Sequence, residues 1–236
     1  MDGIATGIAQ AFGLIFRLDP DLIEIVALSL RVSLTAVGLA TLIGLPLGAV
    51  LAIGRFPGRT TLVVLLNGLM GLPPVVVGLF VYLILSRAGP LGVLGLLFTP
   101  MAMIIAQTVL ITPIIAAISR QIIRDMWVSY REQLLSFGAT PFQQAQTLLW
   151  DGRAALATAV LAGFGRASAE VGAVMIVGGN IEHSTRVLTT AIALETSKGD
   201  LPLAIGLGIV LIVISVCVNA GVFLLRGETR IEGAGR

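Results

Sequence analysis

Arg166 and Glu170 stand four positions apart inside an otherwise apolar stretch, residues 154–178. On a helix that spacing puts both side chains on one face, so each can neutralise the other at a depth where a lone charge is costly. Two readings follow from the residue types. The pair is either a structural ion pair, within the chain or at a subunit interface, or it marks an arginine lining the path of an anion. Other chemistries lack their residues. A Walker A loop needs Gly-Lys before Ser or Thr, and the single lysine, Lys198, follows Ser197 instead. The single histidine, His183, lies in a polar stretch with no cysteine beside it, and the single cysteine, Cys217, sits inside an apolar run. No catalytic set, metal-ligand set or disulfide within these residues is expected, and the chain is not expected to act as an enzyme by itself.

The elements that position these residues are set by a strongly apolar composition: 56% hydrophobic and 12% charged residues, with a mean hydropathy of +1.00. This leaves too little polar surface to coat a soluble globule and identifies an all-α integral membrane protein. A net charge of +2, with the basic residues scattered, excludes nucleic acid as a partner and leaves the lipid bilayer as the medium. Residues 32–54, 60–86, 88–119 and 201–225 contain no Asp, Glu, Lys or Arg. A bilayer core about 30 Å thick needs about 20 helical residues. Five spans are therefore expected, over about 23–54, 60–86, 90–119, 154–178 and 201–225. Residues 1–22 are expected to carry a short surface helix, over 4–16, and residues 227–236 a polar tail. Residues 184–200 read as a short amphipathic helix.

With five spans, nine basic residues fall on one side and four on the other. The richer side is expected to be cytoplasmic, which puts the N-terminus outside and the C-terminus and residues 120–153 inside. Proline is expected to kink or break the spans at Pro46, Pro73, Pro74, Pro100 and Pro113, most sharply at the Pro73-Pro74 pair, a candidate lining of a pathway. Gly44 and Gly48, with Gly163, Gly165 and Gly172, suit close helix packing.

The polar segment 120–153 has its own pattern. Leu134, Leu135 and Phe137 lie beside Glu132, Gln133 and Ser136; Gly138 interrupts them; Thr140 and Pro141 can start a second helix at its N-cap and first turn. Phe142, Ala145, Leu148 and Leu149 then recur at helical spacing. A water-facing helix pair with such a face either fills a groove on a partner or packs back on the bundle ends. Without a partner the chain reads as a stand-alone channel or secondary transporter.

Glu132 followed six residues on by Gly138, between the third and fourth of five spans, resembles the EAA loop of ABC importer permeases. Gln133-Leu134 stands where that family usually has two alanines, and Leu148-Leu149-Trp150-Asp151 where it has Ile-x-Leu-Pro. Phe164 to Asn180, Thr185 to Asp200 and Met70 to Gly78 are similar to the molybdate and tungstate group of these permeases, so that the likeness covers about residues 20–225. The resemblance implies a type I importer core whose cytoplasmic coupling helix meets an ABC ATPase through Glu132, Leu135, Gly138, Ala139, Thr140 and Phe142. It also implies a homodimer, two ATPase subunits holding ATP and Mg, and an extracytoplasmic binding protein. The implied cargo is an oxyanion, tungstate ahead of molybdate or sulfate; by their own chemistry, Pro73, Pro74, Arg166 and Glu170 are the pathway candidates.

Overall fold

The computed structural model describes residues 20–233, with side chains through Gly221. The expected surface helix over residues 4–16 lies outside them. Among the described residues there are nine helices and no strand: α1 (Pro20–Ile53), α2 (Arg59–Leu69), α3 (Pro74–Leu85), α4 (Pro100–Ser136), α5 (Pro141–Asp151), α6 (Arg153–Ser168), α7 (Gly172–Gly178), α8 (Leu188–Lys198) and α9 (Leu201–Gly233). Three helices, α1, α4 and α9, are long and apolar enough to cross a membrane alone. The pairs α2–α3 and α6–α7 reach that length only together and bend by 104° and 59° at their breaks. The chain is a multi-pass, all-α membrane protein with three to five spans.

Proline places these boundaries. Pro20, Pro74, Pro100 and Pro141 each open a helix, where the missing N–H would be unbonded anyway. Pro46 and Pro113 are accommodated inside α1 and α4. Pro100 thus starts the third span instead of kinking it, and the helix expected from residue 90 is absent there. Residues 88–99 form turns and a short 3₁₀ segment, Gly92–Leu94. Gly95 turns the chain at φ 60, and a Cβ on Gly89 would collide with the Leu83 carbonyl. α9 likewise continues to Gly233, past the expected start of a tail at residue 227.

The helices divide between two compact units. The first comprises the described residues through Ala36, then Pro73–Gln107 and Gly165–Ala220. In it Leu188, Ala191 and Leu207 form a buried cluster against Leu22, Ile25 and Val26, and Ser29 Oγ accepts the Leu188 amide at 2.8 Å. Helices α3 and α7 meet where a Cβ on Gly78 would lie 2.7 Å from Ala173 Cα. The Phe98 amide, at φ 60, donates to the Val177 carbonyl at 2.9 Å.

The second unit comprises Val37–Leu72, Thr108–Phe164 and the residues from Gly221. Its centre is the contact of α1 with α4. A Cβ on Gly48 would overlap Ser119 Oγ and lie 2.7 Å from the Ala116 carbonyl, while one on Gly44 would meet Ile115 at 3.0 Å. Gly163 on α6 makes the same close approach to Ile111 and Ile115, at 2.8 and 2.9 Å, but Gly165 has nothing within 4 Å. A second cluster, Ala49, Ala52, Ile123, Leu134, Leu148 and Leu156, ties α1, α4, α5 and α6 together. Overpacking a contact this tight costs about 1–3 kcal/mol. Gly48→Val should lower stability by that amount in denaturant unfolding in bicelles. Gly38→Val, at a site with nothing within 4 Å, should change it by less than about 0.5 kcal/mol.

Candidate docking loop and intramembrane ion pair

The expected partnership of Arg166 and Glu170 forms, but not as two residues on one helix. α6 ends at Ser168, and Glu170 lies in the break before α7. Arg166 Nη1 donates to Glu170 Oε2 at 2.7 Å; the glutamate is buried, whereas the arginine side chain remains 31% exposed. Glu170 Oε1 accepts the Ala173 amide at 2.9 Å, so the carboxylate also caps the start of α7. Gln107 Nε2 donates to the Ala167 carbonyl at 3.2 Å, and Thr189 Oγ1 donates to the Glu170 carbonyl at 2.8 Å. A Cβ on Gly172 would meet Val75 at 2.8 Å, which brings the start of α3 beside the break. Pro73 and Pro74 open α3 as its N-cap and first residue.

Gln107 and Thr189 are missing from the sequence-based site. Gln107 carried a usable signal as the lone amide in the apolar stretch 100–118. The role of Thr189 depends on how α8 packs, which its neighbours do not encode.

Near α8, His183 Nδ1 lies 2.9 Å from Glu24 Oε2, and with Asp21 these groups fall within 4.8 Å of one another, all exposed. The Glu24 hydrogen bond, and then its charge, raises the His183 pKa above its ordinary 6.5. The protonated pair therefore favours the fold below pH 6.5, and that contribution fades as pH climbs through the raised value.

In the second unit the loop is built on a continuous helix. α4 runs past residue 119 to Ser136, so the first half of the expected helix pair is the end of a span and not a separate element. Gly138, at φ 68, reverses the chain; its amide donates to Leu135 and the Ala139 amide to Leu134, at 3.0 and 3.1 Å. Thr140 then opens α5 with a capping box: its side chain accepts the Gln143 amide at 3.4 Å, and its own amide donates to Gln143 Oε1 at 2.8 Å. Gln144 Nε2 secures the Ala139 carbonyl at 2.7 Å.

The apolar face expected on α5 is divided. Leu148 is fully buried and Ala145 and Leu149 pack beside it on the unit's core, whereas Phe142 stays 78% exposed. Leu135, Phe137 and Trp150 are exposed as well, and Arg153 stacks over Trp150 with its guanidinium 5.0 Å from the ring centroid. Glu132 is exposed on the last turns of α4. The break thus holds the expected ion pair, and the loop gathers Glu132, Leu135, Gly138, Ala139, Thr140 and Phe142 along one short reversal.

Broken spans, one with its freed backbone groups taken up by Glu170, Gln107 and Thr189, and a capped reversal with exposed aromatic side chains describe a multi-pass membrane protein with a candidate docking loop. No family model matches the chain. It is 41% identical over 97% of its length, and all of the relative's, to the tungstate uptake system permease protein TupB of Peptoclostridium acidaminophilum. It is 39% identical to the protein of that name from Campylobacter jejuni, over 93% of this chain and 92% of the relative. It is 42% identical to a probable anion ABC transporter permease of Haloferax volcanii, over 84% of this chain and 88% of the relative. The chain belongs to the permease family of anion ABC transporters.

The ion pair yields a test. Arg166→Ala leaves a buried carboxylate unpaired, whereas Glu170→Ala leaves a partly solvated guanidinium but removes the α7 cap. A double-mutant cycle on unfolding in bicelles should give a coupling of about 1–3 kcal/mol. A coupling below about 0.3 kcal/mol would remove the pair from the list of interactions that hold the break.

Proposed function

We propose that this chain is the membrane subunit of an ATP-driven importer of tungstate, with molybdate or sulfate as the alternative cargo, and that the Glu132–Phe142 reversal docks an ABC ATPase. Two of the similar permeases carry tungstate in their names, which supports the choice of oxyanion. The observation that carries the docking reading is Gly138 in the left-handed region, between a span-length helix and a capped helix that leaves Phe142 exposed. Such a reversal transmits displacement, because α4 and α5 share the core cluster of Leu134 and Leu148.

Two copies form the pathway in this reading, two ATPase subunits supply ATP and Mg, and an extracytoplasmic protein delivers the anion. The N-terminus faces outward, and the loop and C-terminus face the cytoplasm. The chain catalyses no covalent step. ATP-driven closure of the ATPase pair moves the two loops and switches the bundle between outward-open and inward-open states. Arg166 is neutralised by Glu170 and holds the α6–α7 break beside Pro73 and Pro74; it is not a high-affinity anion site, and selectivity rests with the binding protein.

A Cβ on Gly138 meets nothing within 4 Å, so a substitution there acts through backbone conformation alone, at about 1–2 kcal/mol for the left-handed region. Gly138→Val should assemble with the ATPase yet lose tungstate uptake while ATP hydrolysis continues, and Gly138→Asn, which tolerates this region, should keep most uptake. Equal uptake in all three proteins would sink the coupling role.

A further inference from the structure

We propose that a cleft beside the reversal, bounded by Arg55 and Arg131, binds a tetrahedral oxyanion of sulfate or phosphate type. The cleft measures about 460 Å³, and its lining includes Trp127, Leu135, Ala139 and Gln144 but no carboxylate. Among the described residues neither Arg55 nor Arg131 has an ion-pair partner. Gln144 Nε2 uses one of its hydrogens on the Ala139 carbonyl. The charged donors in the lining are therefore the two guanidinium groups, whose planar forks suit the edges of a tetrahedral oxyanion.

The backbone at both arginines is held in place, and both side chains are exposed. Arg55 follows the end of α1, which is locked on α4 at Gly48. Arg131 projects from the extension of α4, one turn beyond Trp127, whose ring packs on the core cluster of the unit. Further cations reinforce the field. Arg124 and Arg120 continue the Arg131 row toward the start of α4 at helical spacing. Arg59 donates to the Leu51 and Ala52 carbonyls, at 2.7 and 3.3 Å, just beyond the Gly48 contact with Arg120. Arg120 Nε is buried and bonded to nothing. This end of the unit is rich in positive charge, which favours an anionic ligand in the cleft. A bound oxyanion bridges the turn after α1 to α4, the helix that leads into the Gly138 reversal, so occupancy bears on the mobility of the reversal.

The chain has two tryptophans, and Trp150→Phe leaves Trp127 as the sole reporter in the cleft. In phosphatidylcholine nanodiscs, titration of this full-length variant with sodium sulfate or phosphate, at ionic strength matched with chloride, should give a saturable emission change. Arg55→Gln or Arg131→Gln in the same background should weaken it at least about tenfold without altering helical circular dichroism. If sulfate and phosphate are silent but phosphatidylglycerol nanodiscs produce the same arginine-dependent change, the oxyanion is a lipid headgroup phosphate and the site stands. The proposal falls if no probe gives an arginine-dependent change, or if only an acidic peptide such as oligoglutamate does, since the cleft would then be a protein dock.

Discussion

Hydrocarbon offers no partner to a backbone amide or carbonyl, and each group left unbonded there costs several kcal/mol. The break between α6 and α7 exists only because the protein repairs it. Glu170 takes the Ala173 amide with one carboxylate oxygen and Arg166 with the other, Gln107 takes the Ala167 carbonyl, and Thr189 takes the Glu170 carbonyl. Gly172 completes the repair by having no side chain where Val75 approaches. An ion pair that reads as transport chemistry is thus first a structural repair, and its charges are mutually spent.

The other unit secures its reversal by local hydrogen bonds as well. α4 does not stop where its apolar stretch ends but continues to Ser136, and the reversal at Gly138 leaves few loose backbone groups because Thr140, Gln143 and Gln144 take them up. A reversal secured this way moves as part of the helices it joins. Its exposed Leu135, Phe137, Phe142 and Trp150 remain as apolar surface in a polar setting, which is the condition for a partner groove.

Much of this was legible in the residues. The charge-free stretches located the apolar helices, and Thr140-Pro141 located the start of α5 because cap and first-turn preferences are local. Gly138 was legible for a similar reason: a positive φ favours glycine through its own missing side chain. What failed was everything decided by a distant partner. Pro100 could equally open a helix or kink one, and Gly89 and Gly95 settle it only through the path of the chain around them. Glu170 could sit on α6 or beyond it, and the choice fell to Gln107 and Thr189, 63 and 19 positions away. The face of α5 looked uniform, yet Leu148 turns to the core and Phe142 away, since the direction of α5 depends on where Ile123 and Leu156 lie.

The central claim is that the exposed apolar residues of the reversal meet an ATPase. A photo-crosslinking amino acid at Phe142, introduced into the full-length chain in its native membrane, tests it most directly. The expected product is a covalent adduct with a subunit whose peptides contain a Walker A loop, reduced when Glu132 and Leu135 are both replaced by alanine. Adducts only with lipid or with a second copy of this chain, at crosslinking yields that Glu132 and Leu135 do not influence, would contradict it.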